Sequence, residues 1–259
     1  VCVLGSATPG LRTFYNAQTN KYTCLRLTGR ANEKPLPAIE IVDMKAEKEI
    51  KGKIPVLSKA LIAAVSETLA HKQQVLLFLN KRGFDTFLVC ADCGYNFQCP
   101  HCAVALKSHL AENLVKCHYC DYSQKAIPLC PQCRGSRILN FGTGTQKLES
   151  ELLGFFPGAC VCRMDSDTTS RKGAQEKILS RMEQREIDIL VGTQMIAKGH
   201  DFPDITLVGV ISADTSLNMP DFRAAEKTFQ LLTQVAGRGG RGDQAGRVII
   251  QTFNPDHYT

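Results

Sequence analysis

Asp188-Ile-Leu-Val-Gly-Thr-Gln-Met-Ile-Ala-Lys-Gly-His-Asp-Phe-Pro203 begins as an apolar run and then turns polar. Residues 188–191 read as a strand, and an unbroken apolar run of this length suits a strand buried on both faces. The loop that follows, 191–203, offers Gly192, Thr193, Gln194 and Lys198, all able to hold phosphate oxygens. A second run, Val75-Leu-Leu-Phe-Leu79, has the same strand character. Residues 58–71 place Leu57, Leu61, Ile62, Val65 and Leu69 on one helical face, with Ser58 positioned as the N-cap. Strand-like 138–141, 161–164, 206–211 and 247–253 alternate with helical stretches from 146 onward, at 172–184 and at 222–236. Such alternation implies a parallel sheet in an α/β fold. Ligands of these sheets meet the carboxyl ends of the strands. The loop 191–203 is expected there, together with Gln234-Val-Ala-Gly-Arg-Gly-Gly-Arg241, whose arginines can grip phosphate through planar forks. Residues 28–55, rich in Pro, Lys and Glu with weak periodicity, read as a linker.

The 259 residues suffice for one large or two smaller domains. A composition of 44% hydrophobic and 22% charged residues is that of a soluble globular protein. No apolar run reaches the roughly 18 residues that span a bilayer, so no membrane role is expected. The first residues lack the basic-then-apolar layout of a secretory signal. The formal net charge of +6 leans towards anionic partners.

Eight of the twelve cysteines form four C-x-x-C pairs: Cys90/Cys93, Cys99/Cys102, Cys117/Cys120 and Cys130/Cys133. Two residues between cysteines let both thiolates turn onto one metal ion, and two such pairs complete a tetrahedral zinc site. Eight cysteines therefore predict two zinc sites. Spacing alone allows three ways of combining the pairs, although the 102–117 loop suits a union of the inner two. His101, His109 and His118 read as packing or surface residues, because the thiolates already fill both tetrahedra. Gly94 and Gly135 follow ligand pairs, where tight turns favour glycine. The remaining Cys2, Cys24, Cys160 and Cys162 lie in strand-like runs and are expected to be buried thiols. The block as a whole interrupts the strand–helix alternation and reads as an insertion.

Gly5-Ser-Ala-Thr-Pro-Gly10 spaces its glycines as a phosphate-binding loop G-x-x-x-x-G-K-[ST] does, but Leu11 and Arg12 follow where Lys and Ser or Thr are needed. The segment has another reading. Gly5-Ser-Ala-Thr-Pro9 is similar to helicase motif III of superfamily 2, and Val75–Phe84 resembles the motif IV region. Residues 189–203 resemble motif V and Gln234–Arg241 motif VI; the stretch 163–174 and Pro255-Asp-His-Tyr258 add to the likeness. With four C-x-x-C pairs between motifs IV and V, the whole chain most resembles the bacterial replication-restart helicases.

The resemblance implies a RecA-like helicase C-terminal lobe at 56–89 and 137–259. The zinc-binding insertion would occupy 90–136, the end of a first helicase domain 1–27, and a linker 28–55. It implies a fragment, without P-loop or acidic motif, that hydrolyses no ATP by itself. The complete protein would be an ATP-dependent 3′–5′ DNA helicase of the bacterial cytoplasm. It would use ATP with Mg2+, act at stalled or forked DNA, restart replication and assemble the primosome. Implied partners are forked and single-stranded DNA, single-strand DNA-binding protein and other primosome proteins. Carried onto these residues, Arg241 becomes an arginine finger, supported by Arg238 and Gln234 at the phosphates. Asp201, with Gly199 beside it, meets the nucleotide ribose. Thr193, Gln194 and Lys198 touch the DNA backbone, and Ser6 and Thr8 couple the two lobes. One zinc falls to Cys90, Cys93, Cys130 and Cys133, the other to Cys99, Cys102, Cys117 and Cys120. The chain departs from the family's usual Ser at Gly10, Ala at Gly239 and an acidic residue at Ser212. A zinc-stabilised DNA-binding or assembly module without motor activity is the alternative, decided by whether a P-loop is encoded upstream. The zinc insertion argues against an RNA-directed branch of the superfamily.

Overall fold

The computed structural model describes residues 2–27, 36–48, 54–79, 87–102, 104–109, 114–125, 127–141, 144–196, 202–219, 221–240 and 245–259. In chain order the elements are helix α1 (Leu11–Gln18) and strand β1 (Ala38–Asp43), followed by a 3-10 turn at Met44–Ala46, then α2 (Lys59–Ala70) and β2 (Gln74–Phe78). The cysteine block holds β3 (Phe87–Cys90), β4 (Lys107–His109), β5 (Leu114–Lys116), β6 (Ser123–Lys125) and β7 (Ile138–Phe141). There follow α3 (Thr145–Phe155), β8 (Val161–Met164), α4 (Ala174–Glu183), β9 (Ile189–Gly192) and β10 (Ile205–Val210). A single turn α5 (Asp214–Leu217), α6 (Ala224–Ala236) and β11 (Arg247–Thr252) complete the series.

Six strands form one parallel sheet in the order β1-β11-β10-β2-β9-β8. The unbroken apolar runs fill its centre: every residue of β2, β9 and β10 is buried. Their side chains alternate between two cores. Leu76, Phe78, Leu190 and Val208 pack with Ile178 and Met182 of α4 and Val235 of α6. Val75, Leu77, Ile189 and Leu207 pack with Leu61 and Val65 of α2 and Leu148 and Leu152 of α3. The chain is thus a three-layer α/β lobe. Ser58 caps α2 as its position predicts, its hydroxyl accepting from Leu61 N at 3.2 Å. Gln251, fully buried in β11, receives Ser58 N and donates to the carbonyls of Val56 and Ile211, so α2 is pinned to the end of the sheet.

Two expectations are corrected. The stretch read as linker contains β1, which joins the sheet beside β11 from Ala38↔Arg247 to Asp43↔Thr252. Ile39 and Ile41 remain 58% and 56% exposed, so no continuous buried face announces this edge strand, and the ladder, an Arg247–Glu40 ion pair of 2.7 Å and the partly buried Val42 hold it. Cys2 and Cys24 are exposed, and Cys162 of edge strand β8 and Cys160 just before it are only partly buried. The described residues around Cys2 and Cys24 form no strand, which leaves those thiols without a layer to pack under.

The cysteine block leaves and rejoins the lobe through an antiparallel ribbon, β3 with β7, and carries a small antiparallel sheet β4-β5-β6. Val89 and Ala91, flanking Cys90, share a core with Met44, Ile54 and Phe253. The insertion is therefore seated on the lobe. Asn96 donates to Asn218 at 2.8 Å across the junction. Gly94 has φ +78, and a Cβ there would collide with the Phe253 carbonyl oxygen, so only glycine permits this approach.

Candidate zinc, nucleic-acid and nucleotide sites

The four C-x-x-C pairs fold as four copies of one turn. The first cysteine of each donates its N–H to a carbonyl five residues on: Cys90 to Tyr95, Cys99 to Val104, Cys117 to Tyr122 and Cys130 to Gly135. Where the fourth residue after that cysteine is described, it is left-handed: Gly94, Asp121 and Arg134. The turns bring Cys90, Cys93, Cys130 and Cys133 together, and separately Cys99, Cys102, Cys117 and Cys120, each set with its sulfurs within 4.8 Å of one another. Sulfur pairs lie at 3.6 Å (Cys90–Cys133), 3.7 Å (Cys93–Cys130) and 3.5 Å (Cys99–Cys120). Four thiolates about 2.3 Å from one tetrahedral ion sit about 3.8 Å apart, so both sets fit zinc.

The thiols within a set differ. Burial opposes ionisation of Cys130, but the N–H groups of Cys133 and Gln132 outweigh it and bring the thiol down to about 7. Cys117 reaches about 7 in the same way, through Tyr119 and Cys120. Burial, then neighbouring thiols, push Cys93 up to about 12. A dication held by the four sulfurs of a set would supply the charge that lets the reluctant thiols ionise beside the ready ones.

The turn after α6 does not share the carboxyl edge with the start of the loop 191–203, which corrects the sequence reading; the end of that loop, residues 202–204, returns to the amino edge at Ile205. Thr193 and Gln194 follow β9 at the carboxyl edge, where Thr193 N bonds the Met164 carbonyl at the end of β8. The turn after α6 lies at the opposite edge: Gly240 N donates to the carbonyl of Ile205, the first residue of β10. The cause is the crossover itself. A helix joining two parallel strands starts at the carboxyl edge and must end at the amino edge. Gly240, at φ +67, abuts the Gly246 backbone too closely for any Cβ. Gln234 is exposed and Arg238 half-buried. Lys198, Gly199, Asp201 and Arg241 lie outside the described residues.

At the carboxyl edge, Asp165, a residue without a role of its own in the sequence reading, organises a loop after β8 within the stretch 163–174. Its carboxylate accepts from the Thr145 hydroxyl (2.6 Å) and from the amides of Asp167 and Thr168 (3.0 Å each). Thr169 donates to the Asp165 carbonyl and to Met195 of the following loop. Burial opposes its ionisation, but Thr145, Thr168, Arg163 and Asp167 outweigh it and hold the carboxyl below the ordinary range. A depressed folded pKa contributes stability above the unfolded value of about 4, lost as pH falls through the folded one. Asp165→Asn is therefore expected to cost on the order of 1–3 kcal/mol at pH 7, with the deficit shrinking below about pH 4. Urea unfolding across pH measures this; a deficit unchanged at pH 3 contradicts it.

Ser6 and Thr8 meet as neighbours, Thr8 N donating to Ser6 Oγ at 3.1 Å. The segment lies against α6: Gln230 donates to the Thr8 carbonyl (3.2 Å), and Leu11 N donates to Glu226 Oε1 (2.8 Å). Neither Glu226 nor Gln230 was singled out in the sequence. The available signal was their spacing, since Glu226, Gln230 and Gln234 recur every fourth residue along one helical stripe.

Comparison with known proteins agrees with this geometry. Residues 123–243 match the helicase conserved C-terminal domain, and residues 99–125 match the PriA DNA helicase Cys-rich region (CRR) domain. These matches define the class as a helicase C-terminal lobe bearing a cysteine-rich insertion. The replication restart protein PriA of Bacillus subtilis is 52% identical over 257 residues, covering 99% of this chain and 32% of that protein. Its Synechocystis namesake is 44% identical over 263 residues, covering 98% and 32%. The chain belongs to the PriA family and spans about a third of the length of these relatives. Yeast (S. cerevisiae) Dbp5 bound to RNA and ADP BeF3 aligns over 93% of this chain and 41% of its own, at 12% identity and a TM-score of 0.40, too distant to bear on the fold. No described helix is long and apolar enough to cross a membrane.

Proposed function

We propose that this chain is the second lobe of an ATP-dependent 3′–5′ DNA helicase of the bacterial cytoplasm, acting at forked or stalled DNA to restart replication and assemble the primosome. Single-strand DNA-binding protein and other primosome proteins are its proposed partners. The observation that carries the reading is the joining of two four-cysteine groups to a helicase C-terminal lobe through a seated junction. Both four-cysteine groups hold zinc in this reading. Thr193, Gln194 and Lys198 contact the DNA backbone, and their loop leaves from the carboxyl edge. Arg241, with Arg238 and Gln234, faces the phosphates of Mg2+-bound ATP, and Asp201 and Gly199 face its ribose. ATP, when bound, supplies the γ-phosphate whose presence holds two lobes together and whose loss releases them. Ser6 and Thr8 couple the lobes, and their segment rests on α6, whose last turns carry Gln234.

No G-x-x-x-x-G-K-[ST] occurs in these 259 residues. The purified chain is therefore expected to show no DNA-stimulated ATP turnover, while the complete gene product carrying it is stimulated strongly by forked DNA. Turnover by the chain alone contradicts the division of the site between two lobes. A folded, zinc-loaded complete product without stimulated turnover favours a binding and assembly module instead.

A further inference from the structure

Helix α1 begins at Leu11 after an N-cap, Gly10, that makes no side-chain cap bond. The first backbone N–H groups of a helix have no partner within it. Here the Leu11 N–H reaches another element and meets Glu226 Oε1 at 2.8 Å. One turn further along α6, Gln230 takes the Thr8 carbonyl. Two bonds from one helical stripe thus hold both sides of Pro9-Gly10. Gly10 admits this approach: a Cβ at that position would stand 3.1 Å from the Glu226 carboxylate oxygen, tighter than ordinary contact. The next residue of the stripe, Gln234, lies in the last turn of α6, two residues before the helix ends at Ala236. Glu226 and Gln230 are half-buried, Gln234 is exposed, and the segment they hold carries the Ser6 and Thr8 hydroxyls.

We propose that Glu226 is a positioning residue which, with Gln230, ties the Ser6–Leu11 segment to α6 and transmits movement between that segment and the Gln234–Arg238 turn. The role rests on the motor reading above, since it gives the tie something to transmit. The carboxylate suits it chemically, because an ionised acceptor strengthens a bond to a backbone N–H and complements the positive end of α1. A rigid helix carrying both the tie and the turn is the physical link.

The test uses the complete gene product and compares wild type with Glu226→Ala and Glu226→Gln. In Glu226→Ala, DNA-stimulated ATP turnover is expected to stay within about twofold of wild type. Base pairs unwound per ATP on a forked duplex should fall about tenfold, within the usual span of a coupling between sites. Glu226→Gln keeps an oxygen at the same reach and should recover most of that yield. Amide hydrogen exchange at Leu11 should speed up in Glu226→Ala and return towards wild type in Glu226→Gln. An unaltered unwinding yield in Glu226→Ala overturns the coupling role, and unaltered exchange at Leu11 overturns the tie. Wild-type protein without DNA-stimulated turnover is a different failure: it removes the motor reading, and the coupling with it, while the exchange result still reports on the tie.

Discussion

Cys130→Ser is expected to release one zinc and to weaken the lobe, whereas Cys120→Ser releases the other zinc and leaves the lobe's stability nearly unchanged. The asymmetry follows from where each group sits. Cys90 ends β3, and its neighbours Val89 and Ala91 pack with Met44 and Phe253 against the end of β11. Cys130 is fully buried in the same group. The second group, Cys99, Cys102, Cys117 and Cys120, belongs to the stretch around the small sheet β4-β5-β6, from which only the partly buried Ala105, among the described residues, packs against that junction. Structural zinc in small peptides binds with an apparent 10–16 kcal/mol, roughly, most of it expressed as folding free energy. Loss of the first ion should therefore cost the lobe on the order of 3–5 kcal/mol, and loss of the second less than about 1 kcal/mol. Zinc content per chain together with denaturant unfolding decides the matter. Release of both ions by either substitution, or equal destabilisation by both, would falsify the asymmetry.

Arg241→Ala in the complete gene product is expected to lower DNA-stimulated ATP turnover by about 10³–10⁵-fold, the span seen when an arginine that stabilises transferring phosphoryl charge is removed. The substitution should leave the zinc content at two per chain and change the KM for ATP far less than kcat, because the lost interaction belongs to the transition state. Arg241→Lys should not restore turnover, since an ammonium cannot reproduce the planar two-pronged contact. Steady-state turnover with saturating forked DNA is the measurement. A loss below about tenfold in a folded protein moves the finger away from Arg241.

What could be read in the sequence was what leaves a strong local pattern. Val75–Phe78 and Ile189–Val191 show as continuous apolar runs because they are buried on both faces, and they form β2 and β9 at the centre of the sheet. Ser58 announced α2 because a cap has its own residue preference. The cysteine spacing marked eight metal-type residues, the 102–117 loop favoured uniting the inner pairs, and the turns bring the sulfurs together in that pairing. Where a residue's role depends on distant chain, the pattern fails. β1 joins the sheet with both faces half open, so its isoleucines alternate without a buried side to report. Gln234–Gly240 carries the expected glycines and arginine, yet only the direction of α6 reveals which edge it occupies. Glu226 looks like any acidic residue early in a helix until Leu11, 215 positions away, supplies the donor.

The direction of α6 has a kinetic meaning. Its 13 residues span about 20 Å, so a small molecule seated at one edge of the sheet does not reach the other. A small inhibitor lodged against the turn at Gly237–Gly240 would leave the loop at Thr193 physically open. If Thr193 holds DNA, as proposed, DNA and such an inhibitor would bind without excluding each other, and any influence between them would appear as altered turnover at saturating DNA rather than as competition that more DNA could relieve.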